Sequence, residues 1–373
     1  MISMQVPFLD LKREAAIHRT GLEKALARVM ARGWYILGPE LEALEQEFAG
    51  MLGVPYAAGV ASGTDALTLA LEASGAVVPG RGEEVVTTAL TAAFTALAVW
   101  RAGAIPRFVD VDPATLQIDA SRIEACVGEK TRAILPVHLY GHACDILAVL
   151  ELAQRNHLTV IEDACQAHGS RLEETAVGAF AQASAFSFYP TKNMGAFGDA
   201  GMILTRDHDL LLRVRKLRHG GQNRAQHHEL LGYCSRLDEL QAAVLRCKLP
   251  DLEERNEIRR RLAARYDEAF SGLDLLRLPV SRGLLPNRHL YPVRTPRRDE
   301  LRRFLKECGI ETLVHYPVPL PSQPAFRRFV LPGQEFPVAQ KAAQELLSLP
   351  LYPELQEEEL QHVIRAVRRF FKA

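Results

Sequence analysis

Between residues 84 and 205 short apolar runs alternate with amphipathic stretches, and this alternation restricts the fold more than any other feature of the chain. Strand-length apolar runs lie at 84–88, 105–111, 133–139, 159–163, 184–189 and 202–205. Helical periodicity fits between several of them, at 94–102 and 146–156. Apolar strands joined by helices make a mainly parallel, buried sheet with helices on both faces. The expected class is therefore α/β. Sheets of this kind bind ligands at the carboxyl ends of their strands, so the chemistry is sought there.

The flanks fill in the organisation. Periodic apolar residues predict helices over 12–32 and 40–51, separated by the turn GWYILGPE. In ASGTDALTLALEASG a Gly-Thr turn opens another helix, with Thr64 and Asp65 suited to its start. After about Lys248 the character changes. Charged helical patterns cover 253–270 and 298–308, RHLYPVR reads as a strand, and the chain closes on an amphipathic helix. With 373 residues, 48% of them hydrophobic, the chain exceeds one small domain. The expected division is a large domain, 1–250, and a smaller C-terminal domain, 251–373.

Lys plus Arg (45) equals Asp plus Glu (45), so no broad basic face for nucleic acid or a membrane surface is expected. Charges arrive early in MISMQVPFLDLKRE, which predicts no secretory signal, and no apolar run has the length of a membrane helix. The expected location is the cytoplasm. Six scattered cysteines with no CxxC pair read as reduced thiols and predict no zinc site. His227 and His228 fall in a polar loop and read as solvated rather than metal-binding.

Three segments carry chemistry. In SAFSFYPTKNMGAFGDAGMI, a strand runs through a Pro turn to Lys192 and a Gly-rich loop. A lysine desolvated in such a loop has a depressed pKa and becomes nucleophilic toward an aldehyde; taken alone it also fits a surface position. In VIEDACQAHG, Asp163 ends an apolar strand, where a carboxylate can pair with a protonated pyridine nitrogen; taken alone it also fits a helix cap. In ASGTDAL, Gly63 and Thr64 open a helix whose amides can receive a phosphate, and Ser187 can add a hydroxyl. Schiff-base lysine, pyridinium partner and phosphate donors together are what pyridoxal 5'-phosphate (PLP) requires.

With these motifs in place, the chain resembles the DegT/DnrJ-type PLP-dependent sugar aminotransferases, a branch of the fold-type I aspartate aminotransferase superfamily. The resemblance runs through VPFLDL, GWYILGPE, ASGTDAL, FVDVDPATLQID, ILPVHLYG, VIEDACQAHG, SFYPTKNMGAFGDAG, GYCSRLDELQAAVLRCKL, LVHYPVPL and LSLPLYPEL. It implies a large domain with a mainly parallel, seven-stranded sheet flanked by helices, and a smaller C-terminal α+β domain. Lys192 matches the lysine that holds PLP and moves the proton, Asp163 the pyridinium partner, and Gln166 a residue at the ring. Gly63, Thr64 and Ser187 match phosphate-binding positions. Tyr35, Arg236 and His315 fall at substrate-facing positions of that pattern, while His219, in RKLRHGG, either faces a substrate phosphate or ends a helix. The family pattern also implies homodimers with shared active sites.

Three departures stand out. Cys234 replaces the Asn of GYNSRLDE that reaches the partner subunit's PLP phosphate, and thiols bond weakly. Ala92 replaces an aromatic ring over PLP, with Phe94 two residues on as either a substitute or a core residue. Pro321 replaces a His in HYPxPLHxQ. The resemblance implies transfer of an amino group from L-glutamate, through pyridoxamine phosphate, to a nucleotide-linked keto sugar. Gln166 and the GDAG segment favour a dTDP- or UDP-linked 3-keto hexose. The alternatives are a keto-inositol aminotransferase and a non-catalytic regulator that binds PLP or a sugar nucleotide. Related sugar dehydratases carry His at the lysine position, and Lys192 argues against that reading.

Overall fold

The computed structural model describes residues 4–223 and 227–372. In chain order the first half runs α1 (Leu11–Arg32), α2 (Pro39–Leu52), β1 (Tyr56–Val60), α3 (Gly63–Ala73), β2 (Glu84–Thr88), α4 (Ala93–Arg101), β3 (Ile105–Val109), β4 (Thr131–Leu135), α5 (Ile146–Arg155) and β5 (Thr159–Asp163). Next come β6 (Arg171–Leu172), β7 (Thr175–Ala176), β8 (Ala183–Ser187), β9 (Gly201–Thr205), α6 (His208–Leu217), α7 (Glu239–Lys248) and α8 (Leu252–Ala269). The remainder holds β10 (Leu276–Arg277), β11 (Leu284–Leu285), β12 (Tyr291–Arg294), α9 (Arg298–Glu307), α10 (Pro337–Glu345), β13 (Leu346–Leu349) and α11 (Glu357–Lys372).

Seven strands form one sheet in the order β1-β9-β8-β5-β4-β2-β3. The pairs from β8 through β3 are parallel, while β9 is antiparallel to both of its neighbours. The sheet is thus mainly parallel and α/β, as the alternation requires. Three of the expected strands stop before their apolar runs do, β8 already at Ser187. β4 stops at Leu135 because Pro136 has no N–H for the ladder, and the run ends in a 3-10 turn, Leu139–Gly141, with Tyr140 at φ 61°. β3 stops at Val109, and Val111 instead bridges Ile118. β1 escapes a sequence reading because its residues, YAAGV, are mostly small. They must be small: a Cβ on Gly59 would lie 2.5 Å from Leu41 Cδ1.

Apolar layers cover both faces of this sheet. On one face Phe48 of α2 meets Phe186 and Phe188 edge-on, with ring centroids 5.2 Å apart in each pair. On the other, Leu67 and Leu69 of α3 and Val214 of α6 bury against Val85 and Ile203. Each large side chain so buried contributes about 1.5–3 kcal/mol.

C-terminal residues form a separate apolar cluster around the antiparallel sheet β10-β12-β13. α11 presents Leu360, Val363, Ile364, Val367 and Phe370 to it, the helical spacing visible in the sequence. Val6 joins this cluster too, and its N–H bonds Gly309 O at 2.8 Å. No helix among the described residues is long and apolar enough to cross a membrane.

Candidate active site

Lys192 lies on the loop that leaves β8. Its N–H closes a turn onto Tyr189 O at 2.8 Å. Gly195 allows the loop to fold back: a Cβ there would sit 2.2 Å from Pro190 O. Lys248 of α7 anchors the same point, donating from Nζ to Gly195 O at 2.7 Å. Burial pushes the Lys192 amine below its ordinary range, while Cys165 and Asp163 oppose that shift.

Asp163 is the last residue of β5 and is 4% exposed. Its main chain bonds Pro136 O at 2.9 Å and the His138 N–H at 3.0 Å, which sets the strand end. Oδ2 accepts from Thr95 Oγ1 at 2.8 Å, and Oδ1 accepts from the Cys165 N–H at 3.2 Å. Among the described residues this buried carboxylate makes no ion pair. A buried carboxylate needs a cationic partner, and a protonated ring nitrogen supplies one.

Gly63 and Thr64 open α3. Ser62 Oγ takes the Asp65 N–H at 3.1 Å and Ser62 O takes the Ala66 N–H at 2.9 Å. The amides of Gly63 and Thr64 have no partner within the helix, so an anion can take them. Gly63 also lets the helix touch the end of β8, because a Cβ would meet Ser187 Cβ at 2.6 Å. Ser187 Oγ accepts the Tyr189 N–H at 3.3 Å. Gln166 is held at both ends: Oε1 accepts the Tyr140 N–H at 2.7 Å and Nε2 donates to Tyr316 Oη at 3.0 Å.

One cavity of about 730 Å³ brings together Lys192, Asp163, Gln166, Gly63, Thr64 and Ser187. Phe94 and His315 also line it. Phe94 is 62% exposed within this chain, so it is not a core residue. Ala92 lines the same wall just before α4. Tyr189 is half-exposed on the cavity. His315 Nδ1 lies 3.0 Å from Ser348 Oγ, and burial, then the charge of Lys192, hold the ring down at about 4. Pro321 is buried in the turn Leu320–Ser322 and does not line the cavity.

Tyr35, His219, Cys234 and Arg236 lie off this cavity in their own chain. The last three cluster: Arg236 Nη1 is 3.2 Å from His219 Nδ1, and Nη2 donates to Cys234 Sγ at 2.9 Å. Tyr35 is half-exposed, and its carbonyl accepts the Glu239 N–H at 3.0 Å. Four residues of the site have no individual signal in the sequence: Thr95 on Asp163, Asn193 behind Lys192, and His289 and Tyr316 on the cavity wall. Tyr316 is at least part of the HYP segment; Thr95 is one of two threonines in TAAFT.

An amine, an unpaired buried carboxylate and open helix-start amides around one cavity fit a pyridoxal-type cofactor, and the architecture is that of the PLP fold-type I aminotransferases. The chain belongs to the DegT/DnrJ/EryC1/StrS aminotransferase family, whose model matches residues 18–368. A "Pleiotropic regulatory protein" of Geobacillus stearothermophilus is 44% identical, with 99% of each chain covered. The dTDP-3-amino-3,4,6-trideoxy-alpha-D-glucose transaminase of Streptomyces venezuelae is 45% identical, covering 98% of this chain and 96% of that one. The crystal structure of NtdA from Bacillus subtilis with bound cofactor PMP superimposes with a TM-score of 0.92 at 31% identity, covering 100% of this chain and 86% of that one.

Proposed function

We propose that this chain is a PLP-dependent aminotransferase that moves an amino group from L-glutamate to the 3-keto group of a dTDP- or UDP-linked hexose, acting as a cytoplasmic homodimer. The observation that carries the reading is the buried, base-shifted Lys192 sharing one cavity with the unpaired carboxylate of Asp163. The relative named as a dTDP-sugar transaminase, 45% identical, supports the acceptor class. Gln166 and the GDAG segment support attack at C3.

When bound, PLP supplies the electron sink that acidifies the donor's α-carbon. Lys192 Nζ would hold the cofactor and, once free, would take the proton from that carbon and deliver it to the cofactor's aldehyde-derived carbon. Asp163 keeps the ring nitrogen protonated, its Oδ2 fixed by Thr95. Gly63, Thr64 and Ser187 receive the phosphate. Gln166, tied to Tyr140 and Tyr316, orients the ring. His315 stays neutral near pH 7 and, with Phe94, borders the space for the sugar. Tyr35, His219, Arg236 and Cys234 act on the cavity of the partner subunit.

A second reading, a PLP- or sugar-nucleotide-binding regulator, is favoured by the name of the 44% identical relative. Absorbance separates the two. The chain with PLP is expected to show a yellow band that L-glutamate bleaches, and Lys192→Ala to lack it. A band that glutamate never bleaches would leave the regulator; an unchanged band in Lys192→Ala would end both the lysine assignment and the mechanism.

A further inference from the structure

Asp163 and Gln166 stand on the chain leaving β5, and Lys192 on the loop leaving β8. Among the described residues no hydrogen bond runs directly between residues 164–168 and 190–196. The two loops meet through Asn287, which lies between β11 and β12 and is fully buried. Its Oδ1 accepts the His289 N–H at 3.0 Å. A main-chain N–H only donates, so the amide is fixed with Nδ2 facing the other way. Nδ2 donates to Gln166 O and to His168 O, at 3.0 Å each. The Asn287 carbonyl accepts from Asn193 Nδ2 at 3.0 Å, and its N–H donates to Ser170 Oγ at 3.0 Å.

Asn193 directly follows Lys192. Its Nδ2 also donates to Asn256 Oδ1 at 2.8 Å, and its Oδ1 lies 3.0 Å from His289 Nδ1. Asn256 makes a parallel link, from Nδ2 to His168 O at 2.9 Å. Only Asn287 reaches Gln166: no other donor meets Gln166 O among the described residues. The fold reserves the place for this side chain. Gly141, at φ 85°, has no Cβ, and one there would lie 1.8 Å from Asn287 Oδ1. Ser170 Oγ, which takes the Asn287 N–H, donates in turn to Gly141 O at 2.8 Å. Two donors and an acceptor on one short side chain are what this position uses, and asparagine alone supplies them.

We propose that Asn287 is a positioning residue that sets the spacing between Lys192 and Gln166, so that the amine reaches the cofactor's aldehyde while the ring stays held. The inference rests on Lys192 being the cofactor lysine and Gln166 lying at the ring. Its consequence is selective. PLP condenses with Lys192 Nζ, losing water, and needs the two loops in register. Pyridoxamine phosphate makes no bond to the lysine and depends on the ring and phosphate contacts alone.

The test compares the two cofactor forms by equilibrium dialysis against cofactor-free protein. N287A is expected to raise the Kd of PLP about tenfold and that of pyridoxamine phosphate less than about threefold. N287D keeps the shape and the bond from His289, but turns an acceptor toward two carbonyls, and is expected to show the same split. N193A breaks the link from the lysine side with the same result, and N193A/N287A is expected to lose no more than the larger single loss. Urea unfolding reports whether each variant folds; if N287A does not, N287D and N193A carry the comparison. An equal loss of both forms overturns the proposal, because the residue would then only fill space, as does an unchanged Kd for PLP or an additive loss in the double variant. A wild-type chain that binds neither form overturns the cofactor reading and this inference with it. A wild-type chain that binds both, with variants that lose them equally, overturns the inference alone.

Discussion

Asp163 and Thr95 are 68 residues apart in sequence, yet the Thr95 hydroxyl is the side-chain donor that fixes Oδ2 of the carboxylate. Thr95 sits in the first turn of α4, and its side chain is buried against the end of β5. A hydrogen bond to a charged group contributes about 1.5–3 kcal/mol. Thr95→Val keeps the volume and removes the donor, so Asp163 gains freedom to turn from the ring nitrogen. Affinity for PLP is expected to fall about tenfold, read by absorbance titration. An unchanged Kd would reduce Thr95 to a packing residue. Lys192 and Asp163 stood out in the sequence because one lies in a Gly-rich loop just after a strand and the other ends a strand, each within a distinctive local motif. Thr95, Asn193 and His289 were not, because their roles come from partners distant along the chain. Each has an ordinary local context, and only the folded chain shows what it touches.

The helices were legible wherever apolar residues repeat along one face, as in α1, α5 and α11. What starts a helix was less so. α2 begins after Gly38 with Pro39 at its first position and no side-chain cap from its own sequence. The cap comes from Glu239, the first residue of α7, whose carboxylate accepts the Gly38, Glu40 and Leu41 amides at 2.9–3.0 Å. Gly38 is required for that approach, since a Cβ would lie 2.9 Å from Glu239 Cδ. The carboxylate is fully buried, and the positive end of α2 faces it. Glu239→Ala strands three amides without water, and is expected to lower stability by about 3 kcal/mol in urea unfolding. The segment carrying Trp34 and Tyr35 directly precedes α2, so cofactor-site function is expected to fall together with stability. A loss below about 1 kcal/mol would mean that solvent reaches those amides and replaces the cap.

At the scale of the molecule, the cavity is complete at its base and open at its rim. Lys192, Asp163 and the start of α3 share it, while Tyr35, His219, Cys234 and Arg236 sit elsewhere on the same chain. Trp34, Tyr35, Phe94 and Tyr189 all expose large rings around these two regions, more apolar surface than a free monomer needs to show. The homodimer proposed above accounts for both facts if each subunit lends its second set to its partner's cavity. Arg236, bonded to His219 and Cys234, is the centre of that second set. The arrangement makes a sharp demand on mixtures. Lys192→Ala and Arg236→Ala each disable every site in a homodimer of their own kind. After dissociation and reassortment, half of the dimers are hybrids, and each hybrid has one cavity with both residues intact if sites are shared. The mixture is then expected to regain roughly a quarter of wild-type activity, where either variant alone shows little. If each site is built from one chain, every cavity in a hybrid keeps its own defect and mixing restores nothing. A mixture no more active than its parts would therefore return Tyr35, His219, Cys234 and Arg236 to the surface of a single chain and remove them from the site.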